Sequence, residues 1–235
     1  MIEDKYSCQI SLKKPIVIRL DGKDITKSKS LNIYDESIGG FAYSLKITAK
    51  EISILYNTLV IASTDELNVI FFDSNIFYDK FKSCKCQKSS SLIAQDVSLF
   101  FNNYFNGSRV YFDARTFNVL NEKLISYFKF RATSTKNVGI TYISKRLFPY
   151  NERKNKKCIE LEELLKNNYP NTLYDSDYFN YGEAYYQGRK ISLEKIINTD
   201  NFNSKEIYKY YINTDSCFSI SNNIDLDELE DFDDI

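Results

Sequence analysis

Leu59-Val60-Ile61-Ala62-Ser63-Thr64-Asp65-Glu66-Leu67-Asn68-Val69-Ile70-Phe71-Phe72 is the stretch from which the rest of the chain can be placed. Its two apolar runs, Leu59 to Ala62 and Leu67 to Phe72, are short and rich in β-branched and aromatic residues, the composition of strands. Ser63-Thr64-Asp65-Glu66 between them marks a bend, so the segment predicts a β-hairpin with acids at its tip. Upstream, Asp35 to Tyr56 repeats apolar residues at Ile38, Ala42, Leu45, Ala49, Ile52 and Tyr56. Those steps of three and four trace one helix face, with Gly39-Gly40 weakening the first turn. Before it, Pro15 to Leu20 is a β-branched run that stops at Asp21-Gly22, a strand followed by a turn. Downstream, Ile93, Val97, Phe100, Phe101 and Tyr104 predict a helix over Ser89–Asn103, and Arg109 to Phe117 alternates like a strand. Leu120, Leu124, Tyr127 and Phe128 predict a third helix, capped by Asn118 or Asn121.

The succession β-α-β-β-α-β-α predicts an α+β fold, a ferredoxin-like split βαβ antiparallel sheet with helices backing one side. After Asn137 the pattern is less regular: a basic stretch (Arg153, Lys154, Lys156, Lys157), a short helix at Ile159–Asn167, and a Tyr-rich segment at Tyr178–Tyr186. The expected division is a catalytic domain over residues 1–145, a C-terminal helical or irregular extension packed on it over 146–223, and a tail over 224–235.

Composition narrows the chemistry. At roughly 150 residues per domain, 235 residues allow one large domain or one and a half. With 43% hydrophobic residues and few Gly and Pro, the chain is globular rather than disordered or fibrous. Apolar runs stop at four or five residues, far short of the ~20 of a bilayer span. The charged start, Met1 to Lys5, has no apolar signal region, so a cytoplasmic location is expected. The chain has no histidine, which excludes Ser-His-Asp triads, Cys-His dyads and His-ligated metals. Chemistry must run on carboxylates, lysines, arginines or backbone amides. Five scattered cysteines read as reduced thiols, and Cys84-Lys85-Cys86 is poorly spaced for zinc. Residues 224–235 hold seven acids and no base; the remainder carries 31 bases against 25 acids, a net +6. A basic body with an acidic tail fits a polyanion binder whose tail competes for its basic surface, or a tail that only aids solubility.

Asp21 ends one strand, and Asp65 and Glu66 tip a hairpin whose strands neighbour it in a split-βαβ sheet. Such carboxylates suit Mg²⁺, which takes one or two carboxylates plus phosphate oxygens. Gly22 allows close approach of a triphosphate to the backbone that follows. An Asp-Gly after a strand is equally an ordinary turn.

The wording Arg19-Leu20-Asp21-Gly22-Lys23, then Ser63-Thr64-Asp65-Glu66-Leu67, then Phe112-Asp113-Ala114-Arg115-Thr116-Phe117-Asn118 resembles the tRNA(His) guanylyltransferase-like family of 3′-to-5′ RNA polymerases. The resemblance continues through Tyr127-Phe128-Lys129-Phe130-Arg131 and, more loosely, Lys136-Asn137 and Gly182 to Arg189. Its Phe-Asp-Ala-Arg wording is closest to the members that repair truncated tRNA 5′ ends. The resemblance implies a polymerase-type palm and two Mg²⁺ ions on Asp21, Asp65 and the Gly22 carbonyl, with Glu66 supporting the site. It also implies triphosphate contacts from the amides of Lys23, Asp24 and Ile25 and from Lys85, Lys88 and Ser91, where Cys84 replaces an arginine of the family's helix. Arg131, Lys136 and Asn137 are the implied RNA contacts; GTP or ATP is the implied substrate, tRNA the partner and a homotetramer the assembly. The Gln and Asp that follow the family's Trp-Arg are absent after Phe130-Arg131, as is its histidine, which points away from selective guanylation of tRNA(His). Two other readings of the residues are a palm-type nucleotide cyclase or signalling-nucleotide synthase, and an RNA-binding palm without activity.

Overall fold

A computed structural model describes residues 8–25, 31–169 and 177–198; the acidic tail and Cys217 lie outside these residues. The first strand, β1 (Ile16–Gly22), is followed by α1 (Phe41–Leu55), the hairpin β2 (Leu59–Ser63) and β3 (Glu66–Phe71), and two helices, α2 (Ser74–Phe81) and α3 (Cys86–Tyr104). Then come β4 (Phe112–Asn118), a 3-10 turn at Asn121–Lys123 and the long α4 (Leu124–Leu147). Short helices α5 (Tyr150–Arg153), α6 (Cys158–Asn168) and α7 (Asp177–Asn180) lead to β5 (Glu183–Tyr186), β6 (Arg189–Ile191) and α8 (Leu193–Ile197).

The sheet order is β4-β1-β3-β2-β5-β6, with every described pairing antiparallel. Its first four strands reproduce the predicted split-βαβ arrangement. β5 and β6 then extend the same sheet from the edge of β2. Helices cover both faces, where the sequence pattern predicts one. Ile16, Ile18, Leu20, Leu67, Val69 and Phe71 pack under α1 and α3, whereas Val17, Leu59, Ile61 and Ile70 pack under the first half of α4 and under α8. The reason is visible in β1: Ile16-Val17-Ile18 is apolar without alternation, as in strands buried on both sides.

Three local differences have physical causes. Residues 35–40 form a turn instead of the first turns of α1, because Gly39 sits at φ +84° and Asp35 accepts from the Ser37 N–H at 3.0 Å. No side-chain hydrogen bond caps α4: Asn118 instead clasps Ser11, accepting its N–H at 2.8 Å and donating to its carbonyl at 2.9 Å. And β1 runs on through Gly22, with Asp21 paired on both sides and Gly22 with Phe112 of β4, so Asp21-Gly22 lies in the ladder and not in a turn.

Candidate active site

Register decides what meets at the top of the sheet. Asp21 pairs with Glu66 of β3 on one side and Asp113 of β4 on the other, so three acids form a row across adjacent strands. Opposed residues share a face, and this face is the one crossed by α4. One step down the ladder Arg19 pairs with Asn68 and Arg115, which puts cations directly behind the acids. Arg19 Nη2 donates to Asp21 Oδ2 at 2.9 Å. Asp65 occupies the two-residue hairpin turn with Thr64, whose φ of 48° is strained for a β-branched residue. That turn is anchored to β1 by the Gly22 N–H, which donates to the Asp65 carbonyl at 2.8 Å. A Cβ at position 22 would lie 2.7 Å from Ile25 Cγ1 and 3.2 Å from the Asp65 carbonyl oxygen, so only glycine fits without movement.

The carboxylates are not equivalent. Burial, then the charges of Glu66 and Asp21, push the Asp65 carboxyl up to about 6. Glu66 is buried and ion-paired to Arg131 of α4, whose Nε donates at 2.9 Å and whose Nη2 donates to the second oxygen. Asn68 Nδ2 also donates to Glu66 at 2.9 Å, and Tyr127 O–H donates to Asn68 Oδ1 at 2.5 Å. Glu66 therefore has a cation of its own, whereas Asp65 sits partly buried near the charges of Glu66 and Asp21. Among the described residues no group of three or more His, Cys, Asp and Glu side chains converges to hold an ion alone. The donor set that remains, Asp21, Asp65 and the Gly22 carbonyl, is nonetheless what Mg²⁺ takes when phosphate oxygens and water complete its shell. A cation there would offset the Glu66 and Asp21 charges, which add to burial in raising Asp65.

No family model and no curated protein matches the chain. Solved structures do. A bacterial tRNA(His) guanylyltransferase-like protein in complex with ATP superposes with a TM-score of 0.63 at 19% identity, over 78% of this chain and 82% of that one. The same kind of protein in complex with GTP gives 0.59 at 19%, over 78% and 79%. The tRNA(His) guanylyltransferase from Saccharomyces cerevisiae gives 0.61 at 17%, over 81% and 93%. The fold is that of the tRNA(His) guanylyltransferases.

On this guanylyltransferase fold the other candidate residues separate. The Lys23 N–H, expected to face a triphosphate, donates to the Tyr111 carbonyl at 2.8 Å. Asp24 has a left-handed φ of 60°, and Ile25 is buried beneath Gly22. Lys85, Lys88 and Ser91 were expected to contact the triphosphate. They belong to the start of α3, where the Ser89 and Ser90 hydroxyls meet Thr116 of β4 at 3.0 and 2.7 Å. Thr116 lies three residues along β4 from Asp113, which is roughly 10 Å of strand. Arg131, expected on RNA, is engaged by Glu66. Lys136 pairs with Glu162 of α6 at 3.0 Å, and the Asn137 carbonyl accepts from Cys158 Sγ at 3.7 Å, so this pair braces α6.

Two tyrosines complete the site's rim and were not singled out by sequence. Tyr178 O–H donates to the Thr64 carbonyl at 3.3 Å, which ties α7 to the hairpin tip. Tyr34 is buried with its hydroxyl unpartnered among the described residues; burial and the nearby Asp65 charge hold it protonated. Asn68 had a readable signal: it is the one polar residue inside the apolar run Leu67 to Phe72.

Proposed function

We propose that this protein is a nucleotidyltransferase that adds nucleotides in the 3′-to-5′ direction to the 5′ end of tRNA or a tRNA-like RNA. The observation that carries the reading is the convergence of Asp21, Gly22 and Asp65 at one end of a sheet whose fold is shared with structures solved with ATP and GTP. Asp21 and Asp65 would hold two Mg²⁺ ions, with the Gly22 carbonyl on the second. When bound, such ions lower the pKa of an attacking hydroxyl and neutralise charge on the leaving phosphate.

The chain's own residues supply position and charge. The Gly22 amide fixes the Asp65 turn against β1, so the two carboxylates keep their spacing without a bound nucleotide. Arg131 pairs with Glu66 and holds it in place, where its charge is one of the causes that raise Asp65. Arg19, which pairs with Asp21, would be free to meet a phosphate if that carboxylate held an ion. Positioning and electrostatics of this kind need no histidine.

The test incubates the full-length protein with 5′-truncated tRNAs, mono- and triphosphorylated, labelled nucleoside triphosphates and Mg²⁺. Extension at the 5′ end is expected, with the triphosphorylated end preferred. Asp21→Ala and Asp65→Ala should each abolish it while the protein stays folded. A cyclic or dinucleotide product made without RNA would instead identify a palm-type cyclase or synthase. tRNA binding with no product would identify a binding palm.

A further inference from the structure

Residues 8–10 lie antiparallel to residues 84–86, at the start of α3. Gln9 opposes Lys85 in an isolated bridge. The Ile10 N–H donates to the Cys84 carbonyl at 2.7 Å, and the Cys86 N–H donates to the Cys8 carbonyl at 3.0 Å. This register sets Cys8 directly opposite Cys86. Opposed residues in a hydrogen-bonded antiparallel pair hold their Cα atoms about 5.5 Å apart with both Cβ atoms on one side. A disulfide needs Cα atoms roughly 4.4–6.8 Å apart. The backbone register therefore gives these two cysteines the Cα spacing that a disulfide spans. We propose that Cys8 and Cys86 close a reversible disulfide that staples the N-terminal segment to the first turn of α3.

The two thiols are unequal in a way that sets the order of steps. Cys8 is exposed, whereas Cys86 is partly covered. Burial and the adjacent Cys8 sulfur push the Cys86 thiol up to about 12, so Cys8 reacts first. The Cys8 thiolate attacks one sulfur of a small-molecule disulfide; that bond breaks and one small thiol leaves, taking up a proton. Cys86 then releases its proton to solvent, and its sulfur attacks the Cys8 sulfur, expelling the second small thiol. The two cysteines are oxidised by two electrons and the small disulfide is reduced to two thiols. Cys84 faces Ile10 in the same register and has no opposing thiol. The pair lies by the Thr116 side of β4, away from Asp21 and Asp65, so the inference stands apart from the proposed activity.

The experiment equilibrates the full-length protein with oxidised and reduced glutathione, digests it without reductant and maps the linked peptides. An intramolecular Cys8–Cys86 link is expected in the wild type, in Cys84→Ser and in Cys158→Ser. It should form faster as pH rises above neutrality, raise Tm by several degrees and reverse with dithiothreitol. Cys86→Ser and Cys86→Ala should stop at a glutathione adduct on Cys8. A wild-type protein that carries only that adduct, or that links Cys8 to Cys84 or to a second chain, overturns the proposal.

Discussion

Arg131 and Glu66 are separated by 65 positions in sequence and meet only because α4 crosses β3. Both are largely buried, at 15% and 6% side-chain exposure. Removing one partner of such a pair leaves a buried charge alone, which costs about 3–5 kcal/mol. Arg131→Ala should lose stability on that scale in urea unfolding, and adding Glu66→Gln to it should restore a large part. An exposed pair would give less than about 1 kcal/mol and no such rescue. Asp65 sets a pH dependence of opposite origin. Its folded pKa of about 6 lies above its ordinary 3.8, so its share of stability is complete below about 4 and is lost as pH rises through about 6. With a chelator present, Asp65→Asn should therefore stabilise the protein by about 3 kcal/mol at pH 8 and have little effect at pH 4. Urea midpoints at the two pH values decide this, and an equal effect at both refutes it. The acids were legible because they are polar interruptions at the ends of apolar strands. Arg131's partner was not, because that pairing is made by tertiary crossing and leaves no local pattern.

At the scale of elements, strands were easier to read than helices. β1, β2, β3 and β4 follow from short β-branched runs, and their order follows from the α segments between them. The second half of α4 was hidden because Thr133-Ser134-Thr135-Lys136-Asn137 breaks the apolar period; Gly139 lies under Tyr34 and Phe179, where a Cβ would come within 2.6 Å of both. α2 is only eight residues long, and its start is fixed by Asp73 accepting from the Asn75 N–H at 2.7 Å. α3 was found, but where it begins relative to the carboxylates could not be read from spacing. That placement changes what Lys88 is expected to do. Lys88 is exposed next to Ser89 and Ser90, whose hydroxyls meet Thr116 of β4, and we propose that it meets an RNA phosphate. Lys88→Ala should weaken tRNA binding and reduce its salt slope by about one, leaving the nucleotide KM within about twofold. A tenfold rise in that KM with unchanged tRNA affinity would return Lys88 to the triphosphate.

For the whole molecule, charge rather than shape makes the prediction. The body carries +6 outside residues 224–235, and those residues carry seven acids. Deleting the tail should tighten tRNA binding at low salt, and the difference should shrink as salt screens both interactions. Titrations at two salt concentrations measure this; equal affinities at low salt would leave the tail a solubility role. The two-faced core was legible in principle from the unbroken apolar run of β1, but the alternation of later segments drew the reading toward a one-sided sheet. The contribution of β5 and β6 was not legible, because a four-residue strand among tyrosines has no period of its own.

The place of β5 bears on how the chain is made. β2 finds its outer partner only when Glu183–Tyr186 arrive, about 120 residues after Ser63. At about 5–20 residues per second, a ribosome holds that edge unmatched for roughly 6–24 s. During this interval Leu59, Val60 and Ile61 offer a row of free backbone groups beside apolar side chains, the arrangement that recruits other nascent chains. Newly synthesised protein should therefore depend on holdase chaperones far more than the finished molecule does.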